Sequence, residues 1–236
     1  MIVFDAASNS GFGGARSSFS WLHTTSGTNR LLYVGVTTVD DSVTGVTYNG
    51  VAMTLIDSQA ASTGDSKVTT FYLVNPTSGS NTVEVTLGGS EIANGSYAAA
   101  VSLTGVDQTS PLDASNKAQA ATVDVTVVAA QSWVIDTFAR LASTVVTVGA
   151  GQTERWNAAS DLGLRVAGST EPNVSAGAVT MNWTGGSYAP CIVAASFKPA
   201  PPVIGNPIGL LLVLTYSEVV AAAGTYPGWY GSGGYF

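Results

Sequence analysis

Short runs rich in Val, Thr, Ile, Phe and Tyr recur about every eight to fifteen residues up to residue 198, and Gly, Asn, Asp and Ser separate them. This spacing constrains the fold more than any other feature, because such a run can cross a sheet once but is too short for a buried helical face. Residues 30–39 read as a long, fully buried strand. The runs 46–48 and 51–55 flank Asn49-Gly50, a pair that supplies the positive φ angles of a two-residue type I′ hairpin. Runs 68–74 and 82–87 lie either side of a turn at 75–80. Further runs follow at 97–103, 123–128, 132–138, 154–156, 163–166, 178–183 and 191–197. No stretch before Pro199 carries a sustained helical apolar face with caps. The expected class is all-β, an antiparallel two-sheet sandwich with a C-terminal extension.

One internal echo stands out. Gly95-Ser96-Tyr97-Ala98 leads into a strand ending Val101-Ser102-Leu103, and Gly186-Ser187-Tyr188-Ala189 leads into one ending Ala195-Ser196-Phe197. Equivalent strands in two pseudo-symmetric halves of one sandwich are the simpler reading, and an old duplication is the sharper one. At Lys198-Pro199-Ala200-Pro201-Pro202 the composition changes, since three prolines in four residues favour a stiff, extended spacer. The expected organisation is a β-sandwich domain at 1–198, a Pro-rich spacer at 199–207 and an apolar, aromatic assembly segment at 208–236. That last segment would fray with nothing to rest on. Leu210, Leu211, Leu212, Val213, Leu214, Tyr216, Trp229, Tyr230 and Phe236 are therefore its expected subunit-interface residues, with Trp229 and Tyr230 as anchors.

The reactive inventory is small: one His, one Cys, 15 acids and eight bases among 236 residues, for a net charge of −7. Scattered bases on an acidic chain argue against a nucleic-acid partner. The apolar stretch 208–223 contains Glu218 and falls short of the roughly twenty residues of a spanning helix, so no membrane span is expected. The start of the chain lacks the basic and apolar regions of a secretory signal, which leads to the expectation of a protein made in a cytoplasm. His23 would have to serve any histidine-dependent scheme alone, and an exposed or edge position is expected for it. No serine sits in a Gly-x-Ser-x-Gly elbow. Asp40, Asp41 and Asp57 sit beside turns, where Asp is common anyway. Cys191 lies in an apolar run and reads as a small buried hydrophobe.

Asp107 and Asp113 bracket one loop and are the candidate metal ligands, for calcium; Asx and Ser-Pro turns explain the same loop without a metal. No cofactor is expected. Of the five tryptophans, Trp133 and Trp183 lie in apolar strands and read as core. Trp156, beside Arg155 and Asn157, is the candidate ligand-facing aromatic for a glycan.

Several phrases carry a family likeness: residues 45–54 (GVTYNGVAMT), 71–76 (FYLVNP), 102–108 (SLTGVDQ) and 194–199 (AASFKP). Over roughly residues 1–199 the chain resembles a β-sandwich family of bacteriophage structural proteins and some bacterial surface proteins. The resemblance implies a jelly-roll-like sandwich with a structural or adhesive role, and it brings no catalytic residues. The expectation is a non-enzymatic subunit of a bacteriophage virion surface (capsid, decoration, or tail and fibre component) that assembles through its C-terminal segment. Its partners would be copies of itself and other virion proteins. The alternatives are a carbohydrate-binding or host-adhesion module, and an extracellular filament subunit using strand donation.

Overall fold

The computed structural model describes residues 1–39, 41–185 and 188–202. The described residues are all-β, and their strands alternate between sheets in a pattern that occurs twice. The first repeat contains β1 (Val3–Asn9), β2 (Arg16–Thr25), β3 (Leu31–Thr38), β4 (Val43–Tyr48), β5 (Val51–Ala52), β6 (Thr54–Ala60), β7 (Lys67–Val74), β8 (Gly79–Glu91) and β9 (Ser96–Thr104). The second contains β10 (Leu112–Ala118), β11 (Thr122–Val127), β12 (Ser132–Leu141), β13 (Thr147–Val148), β14 (Thr153–Ala159), β15 (Leu164–Val174), β16 (Gly177–Thr184) and β17 (Cys191–Phe197).

In the first repeat a sheet ordered β1-β9-β3-β7-β6 belongs with one ordered β2-β8-β4-β5. The second repeats the order as β10-β17-β12-β15-β14 and β11-β16-β13. Strands one, nine, three and seven against two, eight, four and five is jelly-roll order, so the first repeat is a jelly roll with one added edge strand, and the second follows the same order with no counterpart of β5 among the described residues. The antiparallel sandwich expected from the sequence is present, and it occurs twice.

Fine details recur as well. The first strand of each repeat bulges, between Phe4 and Ala6 and between Leu112 and Ala114, which puts Asp5 and Asp113 at the same point. Asp5 accepts from Ser26 N at 2.9 Å and Ser102 Oγ at 2.7 Å. Asp113 accepts from Val128 N at 2.8 Å and Ser196 Oγ at 3.5 Å. Both aspartates thus fasten the end of the second strand to the first and reach a serine on the last. A second shared bulge lies in β6 (Leu55/Asp57) and β14 (Glu154/Trp156). Ser102 and Ser196 are the serines of the sequence echo, which therefore marks one place in two tandem repeats, each with its own pair of sheets.

The two five-stranded sheets pack against each other. Leu31, Tyr33, Val101 and Leu103 from the first meet Trp133, Ile135, Val166 and Phe197 from the second in one core. Two further cores lie inside the individual jelly rolls, one around Val34, Tyr48 and Val85, the other around Val125, Phe138 and Met181. This stacking buries both faces of β3, β9, β12 and β17, which explains their continuous apolar and small residues where one wet face would give alternation. Gly35 on β3 faces Thr137 on β12 across the stack, and Tyr33 Oη lies 2.8 Å from Thr137 Oγ1.

Asn49 and Gly50 adopt φ of 50° and 75°, as the hairpin requires. The run after the turn breaks at Met53, where the chain passes from one sheet to the other. Residues Met1–Ala200 form one compact unit. Ala200 N donates to Gly105 O at 2.8 Å, fixing the end of this unit to the segment that joins the repeats.

Candidate functional site

The reactive side chains of the first repeat gather where β1, an edge of one sheet, meets β2, an edge of the other. Trp21 Nε1 donates to Ser8 Oγ at 2.9 Å, and Ser8 Oγ lies 2.8 Å from His23 Nδ1. A serine on an imidazole nitrogen is the starting geometry of an activated nucleophile. The surroundings do not support that role. His23 is only 1% exposed, its Nε2 has no hydrogen-bond partner, and burial pushes its pKa down to about 4, with nearby Asp5 opposing the shift. Asp5 directs its carboxylate at Ser26 and Ser102, not at the imidazole. Burial works against ionisation of Asp5, but these hydrogen bonds outweigh it and hold the pKa below the usual carboxylate range. A buried imidazole with so low a pKa is a weak base at neutral pH, and the Trp21-Ser8-His23 chain ties two sheet edges together.

His23 was expected at an exposed or edge position; it lies on the edge strand β2 but is buried, and that burial has a simple cause. Alignment of the β2–β8 and β11–β16 registers puts His23 where the second repeat has Val125, an inward-facing core position.

On the opposite side of the first jelly roll a cleft of about 460 Å³ opens between β4–β5 and β6–β7. Val43, Met53, Leu55 and Phe71 form its apolar wall. Thr44, Thr47, Ser58, Thr69 and Thr86 bring hydroxyls to it, and Lys67 brings an amine. The short β5 leaves the start of β4 without a partner strand on this side. In the second repeat a side chain bridges the equivalent positions. Asn157, at the place of Ser58, donates to Val146 O at 2.8 Å and to Glu154 at 2.8 Å. The first repeat thus presents a concave, hydroxyl-rich surface at a place that Asn157 bridges in the second. None of these residues belongs to a motif, so only the paired geometry of the repeats reveals the site.

The second jelly roll buries a carboxyl group at an inward-facing strand position. Asp136 accepts from Trp183 Nε1 at 2.9 Å and from Ser169 N at 2.7 Å, while Gln152 bridges Ser169 Oγ and Asn182 N. Burial raises its pKa to about 7 despite these donors. The signal in the sequence was a lone acid inside an apolar run, at the place where the first repeat has Val34.

The sequence-predicted site residues are dispersed. Asp107 accepts from Thr109 N at 2.8 Å and Ser110 N at 3.3 Å, an Asx turn, with Lys198 Nζ at 4.0 Å. Asp113 is the bulge anchor described above. Among the described residues no three His, Cys, Asp or Glu side chains cluster as metal ligands do. Trp156, expected to face a ligand, is only 6% exposed and lies in the core between the two jelly rolls. The β14 bulge turns its ring onto Gly168, where a Cβ would overlap it, and the stacked first repeat covers it. Trp133 and Trp183 are core, as expected. Cys191 is buried, and burial raises its pKa to about 12. The expected interface residues between Leu210 and Phe236 lie outside the described residues.

Comparisons with protein-family models, with curated proteins and with solved structures return no match.

Proposed function

We propose that this protein is a non-enzymatic structural subunit of a bacteriophage virion surface, a capsid, decoration, or tail and fibre component. In this reading it is made in the host cytoplasm and assembles with copies of itself and other virion proteins through residues 208–236. The observation that supports the reading is the stack of two jelly rolls, joined by an apolar core, whose buried polar groups are spent on fixing strands within each repeat. Asp5, Asp113, Asp136 and His23 each bond to groups that position strands or sheets. An apolar, aromatic segment follows the compact unit in sequence, and such a segment suits contacts between subunits. Truncation after Pro202 tests this: the shortened chain is expected to remain folded by circular dichroism and to run as a monomer in sedimentation, whereas the full chain assembles. Normal assembly of the truncated chain refutes the reading.

The side cleft favours one second reading, a glycan-binding or host-adhesion module. Its hydroxyls and apolar wall match a sugar's alternating polar and apolar surfaces. Binding to a glycan array that is lost on Thr69→Trp, which would fill the cleft, would favour this reading over a purely structural one.

A further inference from the structure

Arg140 on β12 and Arg165 on β15 stand directly opposite each other in the ladder. Their neighbours Phe138 and Ala167 face the inner core of the second jelly roll, and by strand alternation the two arginines enter on the same side. Arg140 is 1% exposed and Arg165 8%. Arg140 Nη2 donates to Thr144 O at 2.6 Å and Gly185 O at 3.1 Å. Arg165 Nη2 donates to Ser143 O, and its Nη1 to Asn157 Oδ1 at 3.1 Å. All four acceptors are neutral. The Nε–H groups of both arginines are buried and have no partner.

Two neighbouring guanidinium groups are therefore largely withdrawn from water on a chain of net charge −7, and among the described residues no carboxylate comes within ion-pair distance of either. Glu154 is the nearest acid to bear on the pair; it reaches Arg165 through Asn157, while Arg140 feels only repulsion from Arg165. Burying unpaired charge is strongly unfavourable, and an anion is the direct remedy.

The fold itself does not require the pair. Register alignment places Thr38 and Lys67 at the same two positions of the first repeat, and there Thr38 Oγ1 bonds Asp41 O at 2.6 Å and closes the equivalent loop. The first repeat's loop is also held by the buried Glu91 carboxylate, which accepts from Val39 N at 3.0 Å and Asp41 N at 3.2 Å, whereas the second repeat has two guanidinium groups and, among the described residues, no carboxylate of that kind bonded to them.

We infer that Arg140 and Arg165 form a binding site for a small oxyanion, a phosphate or a carboxylate group, received at their free N–H donors beneath the β12–β13 loop. A planar guanidinium fork suits both ligand types, and paired forks hold an anion from two sides. The site is independent of the proposed assembly role.

The test uses the ¹⁵N-labelled full-length chain, with its arginine Nε–H resonances assigned through Arg140→Lys and Arg165→Lys. Inorganic phosphate and acetate are titrated separately at constant ionic strength. The expected result is a saturable shift of the Arg140 and Arg165 resonances, with those of Arg16, Arg30 and Arg155 unmoved. Arg140→Lys should weaken binding about tenfold or more, since a point charge replaces a fork. A response to phosphate alone assigns the site to phosphorylated ligands, and a response to acetate alone to carboxylates. The inference is overturned if neither anion moves the two resonances, if all five arginines shift alike, or if Arg140→Lys and Arg165→Lys both bind as the parent does. Water then satisfies the two groups. If Arg140→Lys does not fold, Arg165→Lys alone decides.

Discussion

Gly35→Ala is the sharpest test of the stacked arrangement, because the sign of its effect depends on the stack. In an isolated strand the change is mildly favourable, since Gly costs roughly 0.5–1 kcal/mol relative to Ala. Here the new methyl would overlap Thr137 Oγ1 and lie 2.9 Å from both Thr137 Cβ and Cγ2, well inside normal carbon contact. Thr137 cannot turn away freely, because its hydroxyl pairs with the buried Tyr33 hydroxyl. Overpacking costs about 1–3 kcal/mol, and leaving the Tyr33 hydroxyl unpaired adds about 1–3 kcal/mol. A net loss of about 2–4 kcal/mol is expected, which at roughly 2–4 °C per kcal/mol for a chain of this size lowers Tm by roughly 5–15 °C. Urea unfolding followed by circular dichroism measures the loss, with an unchanged m-value showing that stability alone has moved. Thr137→Gly in the same chain makes room for the methyl, so the double variant should recover about 1–3 kcal/mol relative to additivity. A neutral or stabilising Gly35→Ala, or strict additivity with Thr137→Gly, would mean that the two jelly rolls do not meet at these residues.

His23 and Asp136 give opposed pH dependences. The folded pKa of His23 is about 4, below its unfolded value of 6.5, so the unfolded chain binds more protons between them and stability is lost as pH falls through that window. The contribution is about 3 kcal/mol; His23→Val, which installs the second repeat's residue, should remove it and leave biological activity intact, as urea midpoints from pH 4 to 7 and an activity assay would show. Asp136, with a folded pKa of about 7 against 3.8 unfolded, contributes the reverse, a stability that falls as pH rises from 4 to 7. Asp136→Asn should therefore make the remaining profile rise more steeply with pH. Asp5→Ala and Asp113→Ala should each cost about 1–3 kcal/mol, and hydrogen exchange should quicken at Ser26 in the first and at Val128 in the second, each confined to its own repeat. Equal quickening in both repeats would contradict two separate anchors.

The strands that were legible are those with β-branched or aromatic runs, from residues 30–39 to 191–197. The expected Asn49-Gly50 turn is there because only a few residue pairs accept two positive φ angles in succession. The strands β1, β2 and β10 escaped notice. All three are edge strands, and β1 and β10 carry Asp, Asn, Ser or Lys, residues with little strand propensity of their own; only pairing with β9 or β17 explains these two. The burial of Trp156 and His23 was also illegible, for a different reason. Polar sequence neighbours point to solvent only when one face of a strand is wet, and stacking the jelly rolls removed that condition for Trp156. The side cleft has no sequence signature, because Thr and Ser line every outer face of this protein and only their placement around a gap distinguishes five of them.

The two repeats differ at several shared positions. At the shared edge the first repeat keeps Ser58, whose hydroxyl turns back to Val68 O and Thr69 and leaves the gap open. The second carries Asn157, long enough to cross to Val146 O and close it. At the shared inward positions the first repeat has Val34 where the second has Asp136, and Thr38 with Lys67 where the second has two arginines. Polar groups inside the second jelly roll bond its side and its loops into one network, at the expense of buried charge. The first has Val34 and His23 where the second has Asp136 and Val125, and it keeps an open flank. If the duplicated unit began symmetric, exposure to a ligand or a neighbouring subunit then falls to the flank of the first repeat. Exchange of Ser58 and Asn157 between the repeats would show this directly: the open side should move with the serine, read as dye or glycan accessibility at Met53 or Val148. An opening that stays at Met53 would assign the cleft to the backbone path of β4 and β5 in place of that one side chain.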